Sequence, residues 1–291
     1  MKKIRRIFFI FIIFSIITGC SNKKTELKKS DNNISVVATS AAIIEIMDKL
    51  DYPLEGVSES KIYELPEKYK NSQKVGFPMN PDIEKIKMID PDYVFSPVSL
   101  IADLKPKYDN AGINYGFVNL NNIPGMYKSI LGIGNLLNRK KEAEMLYKDY
   151  EDFISDYKSK NKVKGEGPSV LILMGLPGSY LAATENSYVG SLVKLAGGRN
   201  VYRDGNEQFI NVNPEDMLEK NPDIILRTSH AMPEDVMKMF KKEFMENNIW
   251  KHFKAVKENK VFDLDYRKFG MSAKFNYKEA LEELGEIMYE K

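Results

Sequence analysis

Apolar positions in this chain fall into short β-branched runs followed by longer stretches with helical spacing, and the alternation occurs twice. "ISVVAT" (34–39) predicts a strand, and "SAAIIEIMDKL" (40–50) predicts a helix with Ser40 as its N-cap. "NPDIEKIKMIDPDYVFSP" (80–97) predicts a helix, a turn at Asp90-Pro91 and a buried strand from Tyr93 to Phe95. "INYGFVNL" (113–120) predicts a further strand. Strands interleaved with helices indicate a parallel sheet flanked by helices.

The pattern then changes. "NRKKEAEMLYKDYEDFISDYKSKNK" (138–162) has neither proline nor glycine, and Met145, Leu146, Phe153 and Ile154 recur at helical spacing. One long helix of about 20 residues is expected, ended by "KGEGPS" (164–169). A second α/β set follows: strands at 170–174, 223–226 and 259–265, with helices near 188–196, 233–247 and 277–289. "NPDIEKIKMIDPDYVF" (80–95) and "INVNPEDMLEKNPDIIL" (210–226) align at an offset of 131 residues, which sets Glu84 on Glu215 and Val94 on Ile225. Each copy is an acidic helix, a Pro-Asp pair and a strand, so two similar lobes joined by a stiff connector are expected. The boundaries read as an N-terminal lobe at 34–137, a linker helix at 138–163 and a C-terminal lobe at 164–291.

The first residues address location. Lys2, Lys3, Arg5 and Arg6 precede "IFFIFIIFSII" (7–17), too short an apolar run to span a membrane and suited to a secretory leader. Ile17-Thr18-Gly19-Cys20 resembles the bacterial lipobox, so residues 1–19 are expected to be a signal peptide and Cys20 a lipidated N-terminus. Residues 20–33 read as a polar, lipid-anchored tether. An acyl chain of that kind attaches a protein to a membrane without a span, here at the outer face of the cell membrane.

Composition narrows the chemistry. Cys20 is the sole cysteine, so structural disulfides and cysteine-built metal sites are excluded. Loss of the four basic residues takes Lys and Arg from 43 to 39 against 41 acids, a formal −2, which offers nucleic acid no basic surface. There is no Gly-x-Ser-x-Gly elbow and no P-loop, and "GIG" (132–134) falls inside a helical pattern. Two histidines preclude a three-histidine zinc site. His252, beside Trp250 and Phe253, reads as a packed or surface residue.

His230 stands in "PDIILRTSHAMPEDV" (222–236), between a strand and a helix opening at Pro233, the position where open α/β sheets bind ligands. As an acid–base it would need a carboxylate partner. The nearby Glu234 and Asp235 are better explained as acids favoured by the helix dipole. In the other half, "VGFPMNPDIEKI" (75–86) sets Met79 between two prolines, directly before a helix. A thioether and an imidazole on rigid loops of opposite lobes make an axial pair suited to haem iron. Phe77, Tyr63, Met174, Leu176, Tyr180 and Met232 are candidates for the apolar walls such a macrocycle requires.

"VLILMGLPGSYLAATENSYVGSLVKLAGGRNVY" (170–202), "VGFPMNPDIE" (75–84) and "PDIILRTSHAMPEDVMKMFKKEF" (222–244) resemble the haem-binding lipoproteins of the iron-regulated surface determinant system, and the likeness runs over nearly all the mature chain. It implies a class III periplasmic-binding-protein fold: α/β, two Rossmann-like lobes joined by a single long helix, with ligand held between them. It further implies one haem b per chain with Met79 and His230 as axial ligands, Met232 being the fallback. Haem would pass from cell-wall carriers to an ABC permease, and Glu84 and Glu215 match positions that meet arginine pockets on such permeases. A solvated helix face is the alternative for these two glutamates.

For the haem carboxylates, the turn at Ser40, Ala41 and Ala42 offers free helix amides, and Lys61 a cation. The expectation is thus a monomeric, non-enzymatic haem carrier of an importer. A siderophore or corrinoid carrier on the same fold is the alternative. Residues 262–280 depart from the family pattern and yield no ligand contact by alignment.

Overall fold

The computed structural model describes residues 34–60, 63–161 and 167–289, which build one sheet from each half of the chain. The signal peptide, Cys20, the tether and Lys61 lie outside the described residues. In the first half the strands are β1 (Val36–Ala38), β2 (Gly56–Val57), β3 (Gln73–Lys74), β4 (Gly76–Phe77), β5 (Asn80–Pro81), β6 (Tyr93–Pro97) and β7 (Tyr115–Val118). The main sheet is parallel throughout, in the order β3-β2-β1-β6-β7, while β4 and β5 form a separate antiparallel hairpin. Helices α1 (Ala41–Lys49), α2 (Ile83–Ile89), α3 (Ile101–Ala111) and α4 (Ile123–Leu136) flank it. The strand order reverses between β1 and β6, which creates a crevice beyond their carboxyl ends.

Helix α5 (Lys140–Lys160) starts two residues inside the expected range and leads to the second half. Its strands are β8 (Ser169–Leu176), β9 (Ser179–Ala183), β10 (Arg199–Asn200), β11 (Phe209–Ile210), β12 (Ile224–Ser229) and β13 (Val261–Asp263). Helices α6 (Tyr188–Leu195), α7 (Pro214–Lys220), α8 (Pro233–Glu246), α9 (Lys254–Lys257) and α10 (Tyr277–Tyr289) accompany them. This sheet is mixed. β10, β12 and β13 run parallel to β8, but β9 folds back antiparallel through a Pro177-Gly178 turn and β11 pairs antiparallel with β9. Gly178 has φ +82°, which Pro-Gly supplies at the centre of a tight turn.

The internal repeat is present in atomic detail. Asp90 and Asn221 each close the preceding helix, α2 or α7, in the left-handed region. Two residues later Asp92 accepts from the Ser35 N–H at 2.7 Å, and Asp223 accepts from the Ser169 N–H and hydroxyl at 2.9 and 2.7 Å. The serine hydroxyls reciprocate by accepting from the aspartate amides. The same reciprocal clamp thus ties the incoming helix–strand unit to the first strand of each sheet.

Alternating burial explains the layers. Val36 and Ala38 join a cluster with Ile43, Ile44 and Met47 of α1, while Val37 and Val94 face Leu104 and Tyr108 on the opposite side. The first cluster continues through Ile130 of α4 and Tyr157 of α5 to Ile172, Leu192 and Leu281 of the second half. Tyr127 stacks on Tyr150 with ring centroids 4.5 Å apart and meets Tyr277 edge-on at 6.1 Å, so α4, α5 and α10 share one aromatic knot. Apolar contact alone does not fix this seam: Tyr157 donates to the Leu281 carbonyl at 2.7 Å, and the Ala273 amide donates to the Leu120 carbonyl at 2.8 Å.

Candidate ligand cleft

Loops leaving strand ends in both sheets converge on one cleft. Beyond β1, Ser40 is extended and its hydroxyl accepts from the Ile43 amide, capping α1. The amides of Ala41 and Ala42 in that first turn have no partner within the helix, and both residues line the ligand space. At the floor, Thr39 Oγ1 lies 2.8 Å from Ser96 Oγ, which lies 2.9 Å from Tyr108 OH. This buried chain locks the ends of β1 and β6 at the crevice.

Met79 is presented by the β4–β5 hairpin, where Gly76 pairs with Pro81 and Phe77 with Asn80. Pro78 and Met79 are therefore the two turn residues, and proline pre-sets the backbone of the first. Gly76, at φ +83°, admits the sharp entry to this hairpin, and a Cβ there would press on the Asn80 carbonyl. The result is a methionine side chain 69% exposed, held out on a short rigid support.

His230 follows the end of β12, and its amide donates to the Gly175 carbonyl at 3.0 Å. Met232 then takes φ +46° before Pro233 opens α8, a left-handed conformation that costs a methionine about 1–2 kcal/mol. The imidazole is solvent-accessible but crowded by the cleft walls, and this loss of solvation lowers its pKa from the ordinary histidine value. Burial thus disfavours the protonated ring, the form that cannot act as a donor ligand.

Two adjoining spaces of about 430 and 480 Å³ make up the cleft, sharing Ala41, Pro78 and His230. Ser40, Ala42, Met79, Leu100, Phe209 and Met271 help wall the first, and Phe77 and Met232 the second. These volumes suit a small ligand, and the lining is largely apolar with a few polar groups at its edges. Met79 and His230 thus line one cavity, together with all three residues of the α1 turn.

Other expected wall residues lie elsewhere. Met174 is fully buried in the core, because β8 is covered on both faces. Tyr180 packs against Trp250 and Phe240, and its hydroxyl donates to Glu243 at 3.2 Å. Tyr63 lines a separate chamber. Lys61 falls outside the described residues. His252 is a surface residue, and Glu84 and Glu215 are exposed in the first turns of α2 and α7.

The segment at 262–280 supplies a residue that the sequence did not single out. Lys274 lies on the wall of the 430 Å³ cavity beside Met271 and Ser272. Burial lowers its pKa, while Glu45 of α1 and Asp265 pull in the opposite direction. The only signal in the sequence was a lysine set among small and aromatic residues in "FGMSAKFNY". Among the described residues no helix is long and apolar enough to cross a membrane, and no three His, Cys, Asp or Glu side chains gather as a metal cluster.

Comparison with known proteins supplies the family context. The sequence profile of a family described as "Periplasmic binding protein" matches residues 36–267. The chain is 39% identical over 293 aligned residues to the high-affinity heme uptake system protein IsdE of Staphylococcus aureus strain Newman, covering 99% of each. Among solved structures, an ABC transporter substrate-binding protein of Listeria monocytogenes EGD-e is 46% identical with a TM-score of 0.84, over 89% of this chain and all of that one. S. aureus IsdE complexed with heme is 41% identical with a TM-score of 0.83 over the same shares.

Proposed function

The chain belongs to the periplasmic binding protein family, and from that premise we propose that it is the haem-binding lipoprotein of an ABC importer for iron acquisition. One observation carries the reading: a thioether and an imidazole, Met79 and His230, come from opposite halves of the fold to line one largely apolar cavity. That donor set suits the two axial positions of haem iron, and the apolar lining suits the macrocycle. The likeness to a heme uptake protein over 99% of the chain supports the same cargo.

Each part of the site has a defined task. Met79 and His230 ligate the iron, one from each lobe, so that loading bridges the halves. The Ala41 and Ala42 amides and the positive end of α1 receive one ligand carboxylate, and Lys274, on the same wall, adds charge. The chain acts as a monomer, carries one haem and performs no catalysis. Cys20 anchors it at the outer face of the cell membrane, where it receives haem from cell-wall carriers and delivers it to the permease.

The experiment is a haemin titration of the mature chain from residue 20, carrying Cys20→Ala to stay unlipidated, followed through the Soret band. Wild type saturates at one equivalent. Met79→Ala and His230→Ala each change the spectrum and weaken binding by about tenfold or more, since a ligand bond is lost. His252→Ala changes neither. A wild type without a specific Soret change sinks the haem reading and points to a siderophore or corrinoid on the same fold.

A further inference from the structure

A third chamber, about 620 Å³, adjoins the cleft on the side of the first sheet and shares Ser58 and Glu59 with it. Two of its polar groups lack partners. Ser58 is only 2% exposed and its hydroxyl has no hydrogen bond, and the Lys74 ammonium nitrogen is buried without one. A buried ammonium without an acceptor has lost solvation that nothing replaces, and a native fold keeps such a group where a counter-charge completes it. Glu59 and Glu64 line the chamber, yet neither hydrogen-bonds to that nitrogen. Lys70, also on the chamber wall, is already paired with Glu67. Among the described residues the chamber therefore presents the Lys74 cation and the Ser58 hydroxyl without hydrogen-bond partners.

Strand register brings both residues to one end of the sheet. Ala38 of β1 pairs with Val57 of β2, and Val57 with Lys74 of β3. Ser40, Ser58 and Lys74 thus stand at the carboxyl ends of three consecutive parallel strands, each about 4.8 Å from the next. The α1 amides and the Ser58–Lys74 pair are neighbours on one rim.

We infer that this chamber is a second carboxylate-binding subsite, in which Lys74 and Ser58 receive one haem propionate while the α1 turn receives the other. The inference rests on the haem reading above. Two carboxylates on one edge of a porphyrin require two anion sites side by side, and adjacent strand ends supply them. The subsite also gives the porphyrin a preferred orientation between Met79 and His230, because only its acidic edge satisfies the buried ammonium.

The test compares haemin with haemin dimethyl ester, whose carboxylates are blocked, on the same mature chain. Wild type binds haemin more tightly than the ester. Lys74→Gln weakens haemin by about tenfold or more, the scale of a hydrogen bond to a charged group, and leaves the ester within about twofold and the Soret maximum in place. Ser58→Ala shifts the ratio in the same direction by less, and Lys74→Arg, which keeps the charge, retains most of the preference and controls for folding. Equal losses for both compounds in Lys74→Gln, or no loss for haemin, overturn the subsite while the haem reading stands. A wild type that binds neither compound overturns both.

Discussion

In the proposed role His230 would coordinate iron only through an unprotonated ring nitrogen, so protonation would compete directly with ligation. Burial lowers its pKa from the ordinary value near 6.5, and the competition is displaced toward acid. The expected pH profile follows from that sign. Haemin affinity stays level from mildly alkaline pH down through about 6.5, then falls about tenfold for each further unit once the imidazole protonates. A titration series over that range, read at the Soret band, checks it, and an acid fall that persists unchanged in His230→Ala contradicts the assignment of His230 as a ligand. At this scale the sequence exposed what was chemically rare: one of two histidines, and a methionine between prolines. It did not expose Lys274, Ser58 or Lys74 as site residues. Lysine and serine are common, and their meaning comes from where distant strands and loops converge.

The reciprocal Ser–Asp clamp is the device that makes the two halves alike. Asp223 accepts from both the amide and hydroxyl of Ser169, and Lys254 adds a bond at 2.7 Å. Lys254 and Ser169 hold its carboxyl well below the usual range, against the opposing effect of burial. A lowered carboxylate pKa contributes stability that is present above the unfolded value near 3.9 and lost as pH falls through the folded one. Asp223→Ala strands the Ser169 donors and is expected to cost about 1–3 kcal/mol at neutral pH, read as a lower urea midpoint with an unchanged slope. The deficit narrows in strong acid, and a variant with the wild-type midpoint at pH 7 refutes the clamp. Long periodic elements and the helix–Pro-Asp–strand repeat were legible in the sequence. Two-residue strands such as β2, β3 and β4 were not, because a run that short carries no period. The antiparallel β9 and β11 were equally hidden: β9 continues an apolar stretch, and only its Pro-Gly turn marks the reversal.

At the scale of the molecule, the continuous core and the α4–α5–α10 aromatic knot tie both halves to the connecting helix. Hinge opening breaks this apolar packing, so a largely pre-formed cleft is favoured and release needs help from outside. The pseudo-repeat indicates where that help acts. Asp82 and Asn213 cap α2 and α7 in the same way, by accepting from the amide three residues on, and each helix then exposes a glutamate in its first turn, Glu84 or Glu215. One acid per half, on equivalent surfaces and outside the cleft lining, is the arrangement that a permease carrying basic pockets would grip at two points, which is the docking we propose. Combining Glu84→Ala with Glu215→Ala is therefore expected to leave haemin titration unchanged and to reduce permease-dependent haem uptake by about tenfold or more, with each single variant intermediate. Uptake equal to wild type reduces these glutamates to solvated surface acids. Weakened haemin binding instead implicates the cleft and separates a binding defect from a docking defect. The grip matters mechanically because a carrier whose ligand bridges both halves releases it most directly when a partner pulls on both at once.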